Sequence, residues 1–231
     1  MTDYVERRSA HEVFACTWSR TTPVGAPATH VVPDACADVM WNRATGRLFV
    51  AGPDTYAHRM SLSAGVLVGV RFRPGRAPAG LGVPASAVRD DRVDLELLWP
   101  AGRVRRLADS LAATPDVVAA EQVLASSVAS VGADWDSSAP RLLELVSRGE
   151  RVSAVADALG WTERQLHRRS VAAFGYGPKV LQRVVRFDRA VRMARRGDGL
   201  ASVAYAAGYA DQAHLAREVR ALAGVPMTTL L

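Results

Sequence analysis

The stretch Val155-Ala-Asp-Ala-Leu-Gly-Trp-Thr-Glu-Arg-Gln-Leu166 decides how the last part of the chain folds. Ala156 precedes Gly160 by four positions, and so small a residue lets a second helix cross closely over the first. Gly160 can adopt the positive φ that ends a helix and makes a tight turn. Thr162 and Gln165 fit a capping box that opens the next helix. The stretch therefore predicts two helices joined by a short turn.

The same arrangement recurs 48 residues further along the chain, in Val203-Ala-Tyr-Ala-Ala-Gly208. Asp211 is placed to cap the helix that follows it. Between the two copies, residues 178–196 show the apolar spacing of one long, basic helix. A single alanine–glycine pattern arises by chance in alanine-rich helices. Two copies bridged by a long helix predict two helix-turn-helix units between residues 140 and 231.

The order and spacing of these residues resemble the AraC/XylS-type DNA-binding domain of transcription regulators over residues 142–228. The motif positions whose order and spacing carry the resemblance are Val155, Gly160, Thr162, Leu166, Arg168, Phe174, Gly175, Pro178, Lys179, Arg186, Ala190, Val203, Gly208, Tyr209, Asp211, Gln212, His214, Leu215, Arg217, Val219, Gly224 and Pro226. Ser170, Leu215 and Val219 replace aromatic residues that are usual in the family, and the tail at 227–231 lacks the usual tyrosine-arginine ending.

The resemblance implies two helical lobes, each placing a recognition helix in the major groove, about 34 Å apart. These helices are expected at about 162–174 and 211–222. Their first turns carry the proposed DNA-binding residues, which are Arg164, His167, Arg168, Gln212, His214 and Arg217. Arginine can bind guanine O6 and N7, and glutamine can bind adenine.

Some of these roles stay open. Arg168 and Arg217 hold equivalent places in their units, so contact with phosphate or a structural ion pair is an alternative to base contact. The two histidines are interpreted as hydrogen-bond or phosphate contacts rather than metal ligands.

The distribution of charge agrees with a polyanionic partner for one part of the chain only. Residues 1–140 hold 14 Lys and Arg against 15 Asp and Glu, whereas residues 141–231 hold 15 against 8. The whole excess of positive charge therefore lies in the C-terminal region. Double-stranded DNA is the expected partner, and RNA polymerase is a further candidate. Five arginines recur at every third position of the bridging helix, which also fits a simple solvated face; they are Arg183, Arg186, Arg189, Arg192 and Arg195.

The chain is expected to be an α+β protein of three parts. Residues 1–100 hold short apolar stretches between Gly and Pro turns, which predicts a small β-barrel or sandwich. Residues 101–139 are predicted to form a helical connector and linker, and residues 140–231 are predicted to form the DNA-binding domain. The apolar stripe of the connector must be buried, either on its own β-domain or in a homodimer.

The first part also resembles a known family, an uncharacterised β-domain commonly joined to AraC-type domains. The resemblance rests on residues 30–39, 47–53 and 70–75. In regulators of this plan the β-domain senses an effector or mediates dimerisation, so the resemblance implies a role without naming a ligand.

A polar cluster is the proposed effector site within this β-domain. Asp34, Cys36 and Asp38 alternate, so on a strand they share one face, and Arg71 or Arg73 is expected opposite them. Such a cluster is typical of a small-molecule pocket. It also fits a turn whose carboxylates cap backbone amides. A third reading is a reactive thiol at Cys36, which would make the protein a thiol- or metal-based chemical sensor or enzyme with a DNA-binding tail.

No fingerprint of an enzyme, a cofactor or a metal site is present in the sequence. The serine-hydrolase elbow, the phosphate-binding loop and the dinucleotide motif are absent, and the histidines form no ligand pair. We therefore predict no catalytic residue, no cofactor and no metal. Two cysteines are too few for a disulfide framework. The polar N-terminus and the lack of a long apolar run predict a cytoplasmic protein without a membrane segment.

Overall fold

The computed structural model describes residues 3–60 and 64–231. The strands are Asp3–Arg8 (β1), Phe14–Thr22 (β2), Thr29–Val31 (β3), Asp38–Asn42 (β4), Leu48–Ala51 (β5), His58–Met60 (β6), Gly65–Phe72 (β7) and Arg92–Asp94 (β8). The helices are Ala77–Leu81 (α1), Ala101–Ala112 (α2), Val117–Ala129 (α3), Ala139–Ser147 (α4), Val152–Ala158 (α5), Glu163–Phe174 (α6), Pro178–Arg195 (α7), Leu200–Ala206 (α8) and Gln212–Ala223 (α9), with short 3-10 turns at Ala85–Val88, Leu95–Leu97 and Met227–Thr229. Apart from the short α1, which precedes β8, the strands come before the helices, as expected for the α+β class.

The N-terminal part contains an open antiparallel sheet rather than the barrel-like fold expected from the sequence. Its six strands lie in the order β1-β2-β7-β4-β5-β8, and β3 and β6 pair separately. Within residues 3–60 and 64–231, β1 and β8 are the two free edges, at opposite ends of the sheet. The sheet needs no closure to bury its apolar face, because helices cover that face.

One face of the sheet is apolar because alternate residues of each strand point the same way. Val68, Val70 and Phe72 of β7 are completely buried on this face. They pack in one core with apolar side chains of α2 and α3, among them Leu111 and Leu124. The two connector helices thus bury their stripe on their own sheet, and this stripe gives no support to homodimerisation.

The C-terminal part consists of two small helical cores joined by α7. The first core is formed by side chains of α4 to α7, and the second by side chains of α7 to α9. Helix α7 has 18 residues, which makes it about 27 Å long. Among the described helices, none has both the length and the apolar character needed to cross a membrane.

Two helix pairs, α5–α6 and α8–α9, lie where the sequence predicts them. The turns contain Gly160 at φ 67° and Gly208 at φ 80°, conformations that glycine adopts without strain. Helices α6 and α9 begin and end within one residue of the bounds expected for recognition helices. The local signals in the sequence therefore locate these helices correctly.

Candidate nucleic-acid interface

Helix α6 is oriented by its cap and by one buried leucine. The Thr162 hydroxyl accepts a hydrogen bond from the Gln165 amide at 3.2 Å, and the Gln165 side chain accepts one from the Thr162 amide at 2.9 Å. Gln165 is therefore committed to the cap. Leu166 is completely buried. This fixes the helix so that Arg164 and Arg168 face solvent.

Two of the three arginines of α6 are free to meet a polyanion. Within the described ranges, Arg164 and Arg168 have no carboxylate partner. Arg169 instead donates to Asp136 of the linker at 2.8 Å, and its guanidinium lies 4.6 Å from the ring centre of Trp161. Arg169 thus holds the helix to the linker, and the exposed charge of α6 resides in the other two side chains.

Helix α9 is built in the same way with a different cap. The Asp211 carboxylate accepts from the His214 amide at 2.6 Å. Gln212 and Arg217 are exposed, and Arg217 makes no ion pair within the part of the chain that the structure describes. Both helices therefore present uncompensated polar side chains at or near their first turns.

The two histidines are fixed by the turns beside them. The Nδ1 atom of His214 accepts from the Ala210 amide at 3.3 Å, and its ring meets Tyr209 edge-on at 5.3 Å. A Cβ added to Gly177 would lie 2.8 Å from the His167 ring, so the imidazole rests against that glycine. Nε2 is therefore the ring nitrogen of His214 left for an external partner.

The arginine row of α7 is mostly used within the protein. Arg183 and Arg186 lie 3.1 Å and 3.8 Å from Glu218 of α9, which ties the two helices together. Arg192 lies 2.6 Å from Asp188, and Arg195 donates to the Leu230 carbonyl at 3.2 Å. This row braces the second lobe more than it forms a solvated face.

The proposed effector residues of the N-terminal domain form a connected network. The Arg71 guanidinium lies 3.1 Å from Asp38 and 3.7 Å from Asp34. Asp38 also accepts from the Trp18 indole N–H at 2.6 Å, and Asp34 accepts from the Cys36 amide at 2.9 Å. The neighbouring carboxylates raise the pKa of Arg71 further, Asp38 most of all. Arg71 therefore stays charged and compensates both acids.

Arg73 stands apart from this network. Its side chain is exposed, and within residues 3–60 and 64–231 it makes no ion pair with Asp34 or Asp38. A cleft of about 390 Å³ lies elsewhere, between the 11–13 turn, α1 and the 132–137 linker. The network contributes no side chain to that cleft.

The Cys36 thiol lies in a setting that suppresses its reactivity. Burial, followed by the nearby Asp34 carboxylate, raises its pKa well above the usual value. The sulfur donates to the Asp34 carbonyl at 3.7 Å. Because the thiolate is the nucleophile, this thiol is a weak one at neutral pH. Cys16 behaves similarly, since burial raises its pKa to about 11.

One group of side chains in the described residues has the donor set of a metal site, namely Asp54, His58 and Asp90. The Asp54 carboxylate already has a partner, because the Arg92 guanidinium donates to its two oxygens at 2.9 Å and 2.8 Å. Asp90 likewise accepts from the Thr55 amide at 2.6 Å. Both carboxylates accept hydrogen bonds from groups of the protein itself, so we interpret these three side chains as a structural network.

The residues that join the N-terminal domain to both helical lobes could not be predicted from the sequence. Arg89 donates to the Gly175 carbonyl at 3.3 Å, and the Ala57 amide donates to the Leu222 carbonyl at 2.7 Å. Such contacts have no periodic signal in the sequence, since they depend on how distant segments meet. Ser170 is explained as well: its buried hydroxyl donates to the Tyr176 carbonyl at 2.8 Å, where the family usually has an aromatic ring.

Two capped helices with exposed basic side chains, in a helical domain with excess positive charge, are typical of the helix-turn-helix class of DNA-binding domains. Residues 155–231 match the family model described as "Helix-turn-helix domain". Residues 11–94 match the one described as "Domain of unknown function (DUF6597)". The chain therefore carries an AraC-type helix-turn-helix domain, found in DNA-binding transcription regulators, behind an N-terminal domain of a family without an assigned function.

Comparison with whole proteins gives little beyond this. No curated protein matches the chain. Crystal structures of ToxT from Vibrio cholerae align over 100% of this chain; a 1.65 Å structure has 12% identity, 97% coverage of its own chain and a TM-score of 0.46. A structure of ToxT bound to an unsaturated fatty acid has 11% identity, 94% coverage and a TM-score of 0.46. The match of the C-terminal domain to the helix-turn-helix family points to a transcription regulator.

Proposed function

We propose that this protein is a transcription regulator that binds specific sequences of double-stranded DNA through α6 and α9. The observation that carries the proposal is the pair of capped helices whose exposed Arg164, Arg168, Gln212 and Arg217 have no carboxylate partner within the described ranges. Base edges in the major groove offer acceptors and donors that suit these side chains. Phosphate binding by the remaining charge supplies the affinity.

Each side chain has a proposed role. Arg164 and Gln212 occupy the first turns and contact bases, one in each half-site. Arg168 and Arg217 contact phosphates or bases next to them. His167 and His214 hydrogen-bond to the DNA backbone, because both rings are held by neighbouring turns. This division separates the residues that specify a sequence from those that position the protein.

The experiment is selection of bound duplexes from a random library by the full-length protein. We expect a recovered motif with two half-sites about one helical turn apart. The control is the double variant Arg164→Ala, Gln212→Ala, which should recover no such motif while remaining folded. Recovery of random sequence by the wild-type protein would show that binding is non-specific.

We further propose that the N-terminal domain controls DNA binding, with the network of Asp34, Cys36, Asp38 and Arg71 as its regulatory site. Support comes from the position of this network at the domain junction, where Ala35, between Asp34 and Cys36, is buried in the core of the first helical lobe. A small molecule that displaces Arg71 from these acids would be sensed by α7. Substituting Asp34 by Asn should change effector response without abolishing DNA binding; a variant that only loses thermal stability would leave the network a structural one.

The alternative of a thiol-based chemical sensor has one clear test. The raised pKa of Cys36 predicts that it stays unmodified when the folded protein is exposed to a mild electrophile at pH 7. Mass spectrometry of the intact chain reports the outcome. Rapid, stoichiometric modification of Cys36 would favour the sensor instead.

A further inference from the structure

The N-terminal domain contacts both recognition helices at the same end. The last carbonyl groups of a helix have no partner within the helix and need one elsewhere. The Gly175 carbonyl, just after α6, accepts from Arg89 Nη1 at 3.3 Å. The Leu222 carbonyl, in the last turn of α9, accepts from the Ala57 backbone N–H at 2.7 Å. Each recognition helix is thus held at its C-terminal end, away from the first turn proposed to read bases.

The two donors belong to one rigid unit, the bracing loops, which we define as residues 52–57 and 85–91. The Asp90 amide donates to the Pro53 carbonyl at 3.2 Å, and the Gly52 amide donates to the Asp91 carbonyl at 3.1 Å. The Thr55 amide and hydroxyl both donate to the Asp90 carboxylate, at 2.6 Å and 2.9 Å. The two loops are therefore tied to each other by hydrogen bonds of backbone and side-chain groups.

Apolar packing reinforces both contacts. A Cβ added to Gly175 would lie 2.7 Å from Pro53 Cγ, so proline and glycine are already in close contact. Ala57 packs against the core of the second lobe, together with Val32. Pro53 and Ala57 are only four residues apart in the chain, yet they contact different lobes.

This arrangement gives the two lobes a second connection. The first is α7, which contributes to both helical cores. The bracing loops contact one lobe through Gly175 and the other through Leu222, and α7 joins the same two lobes. The lobes therefore cannot change their relative orientation unless a loop contact breaks. We propose that the bracing loops act as positioning residues: they set the separation of α6 and α9, and with it the half-site spacing that the protein accepts on DNA. The proposal rests on the proposed function, because it needs two half-sites.

The test is binding of the full-length protein to duplexes whose two selected half-sites are moved apart or together by single base pairs. Arg89→Ala removes the donor to Gly175 and should reduce the preference for the best spacing over its neighbours by about fivefold, the net scale of one typical hydrogen bond. Ala57→Pro removes the N–H donor to Leu222 and should have a similar effect. Arg89→Lys, which keeps a cationic donor, should restore the preference.

Arg43→Ala is the matched control, since Arg43 is an exposed arginine of the same domain, in the turn after β4. Its spacing preference should equal that of the wild type. Unchanged preference in both Arg89→Ala and Ala57→Pro, with wild-type binding intact, would overturn this inference and leave the proposed function standing. Failure of the wild type to bind any duplex would overturn both. A purely structural role for the loops would lower the melting temperature without changing the ratio between spacings.

Discussion

At the scale of single residues, the exposure of side chains next to a helix cap could be predicted from the sequence. A pKa that depends on burial could not. The exposure of Arg164 and Gln212 follows from their place after a helix cap, which the sequence shows directly. The raised pKa of the Cys36 thiol could not be predicted in this way, because burial and then Asp34 cause it. The pairing of Arg71 with Asp38 was expected in kind, since two acids in an apolar wall need a cation.

Asp188 provides a test of the domain junction at this scale. Burial raises its pKa to about 6, with Arg192 opposing and Asp34 adding to the shift. A carboxyl group whose pKa is raised on folding stabilises the native state below its unfolded pKa, near 3.8, and this contribution is lost as the pH rises through 6. Asp188→Asn removes this titration.

The wild type should therefore lose about 1 kcal/mol more free energy of unfolding than Asp188→Asn between pH 5 and pH 7.5. Denaturant titrations of both proteins at the two pH values measure the difference. Asp157→Asn, at an exposed position of α5, is the control and should follow the wild type. Equal losses in the wild type and Asp188→Asn would show that Asp188 is not held in the protonated form.

At the scale of elements, helices were predictable because their signals lie within a few residues of one another. Caps, glycine turns and apolar spacing placed α6 and α9 almost to the residue. The sheet was predicted less well. Pairing of β2 with β7 joins segments far apart in sequence. The sequence of a short strand does not indicate which other strands lie beside it in the sheet. A barrel and an open sheet covered by helices share the same alternating pattern.

Alanine substitutions at two equivalent glycines distinguish two contributions to stability. One is the backbone strain at the end of a helix, and the other is the contact with the N-terminal domain. Gly175 ends α6 at φ 86°, and Gly224 ends α9 at φ 70°. Alanine at Gly224 meets open space, whereas alanine at Gly175 would collide with Pro53. Gly224→Ala should cost about 1 kcal/mol, the penalty for left-handed backbone. Gly175→Ala should cost more, by at least about 1 kcal/mol.

Thermal and denaturant unfolding of the two variants give these values. The comparison is direct because both substitutions add one methyl group to a residue of the same backbone class. Equal destabilisation would mean that the first lobe does not rest on Pro53, contrary to the described contact.

At the scale of the whole molecule, the division of charge was readable from the sequence, but the contact between domains was not. The C-terminal region carries a net charge of +7 and residues 1–140 a net charge of −1. The sequence placed a helical connector and linker at 101–139 and gave no sign that Arg89 and Ala57 reach the ends of α6 and α9. Such contacts appear only when both partners are folded, since neither loop has a pattern of its own.

The charge distribution predicts a steep dependence of DNA binding on salt. Neutralising about four phosphates would release their counterions and cost roughly a hundredfold in affinity between 50 mM and 200 mM salt. Arg168→Ala and Arg217→Ala together should lower the slope of log K against log salt by about 2, if each contacts one phosphate. Titration of a labelled duplex at several salt concentrations measures the slope. A slope near zero for the wild type would contradict binding through phosphates.

The central claim is that α6 and α9 each read bases in one half-site. The measurement that tests it most directly is the affinity of the wild type, Arg164→Ala and Gln212→Ala for every single-base variant of the selected duplex. The account predicts that each substitution removes discrimination at its own position, by roughly 1–3 kcal/mol, and that the two positions lie about one helical turn apart. If both variants instead bind every sequence more weakly by the same factor, these side chains do not read bases, and the claim is wrong.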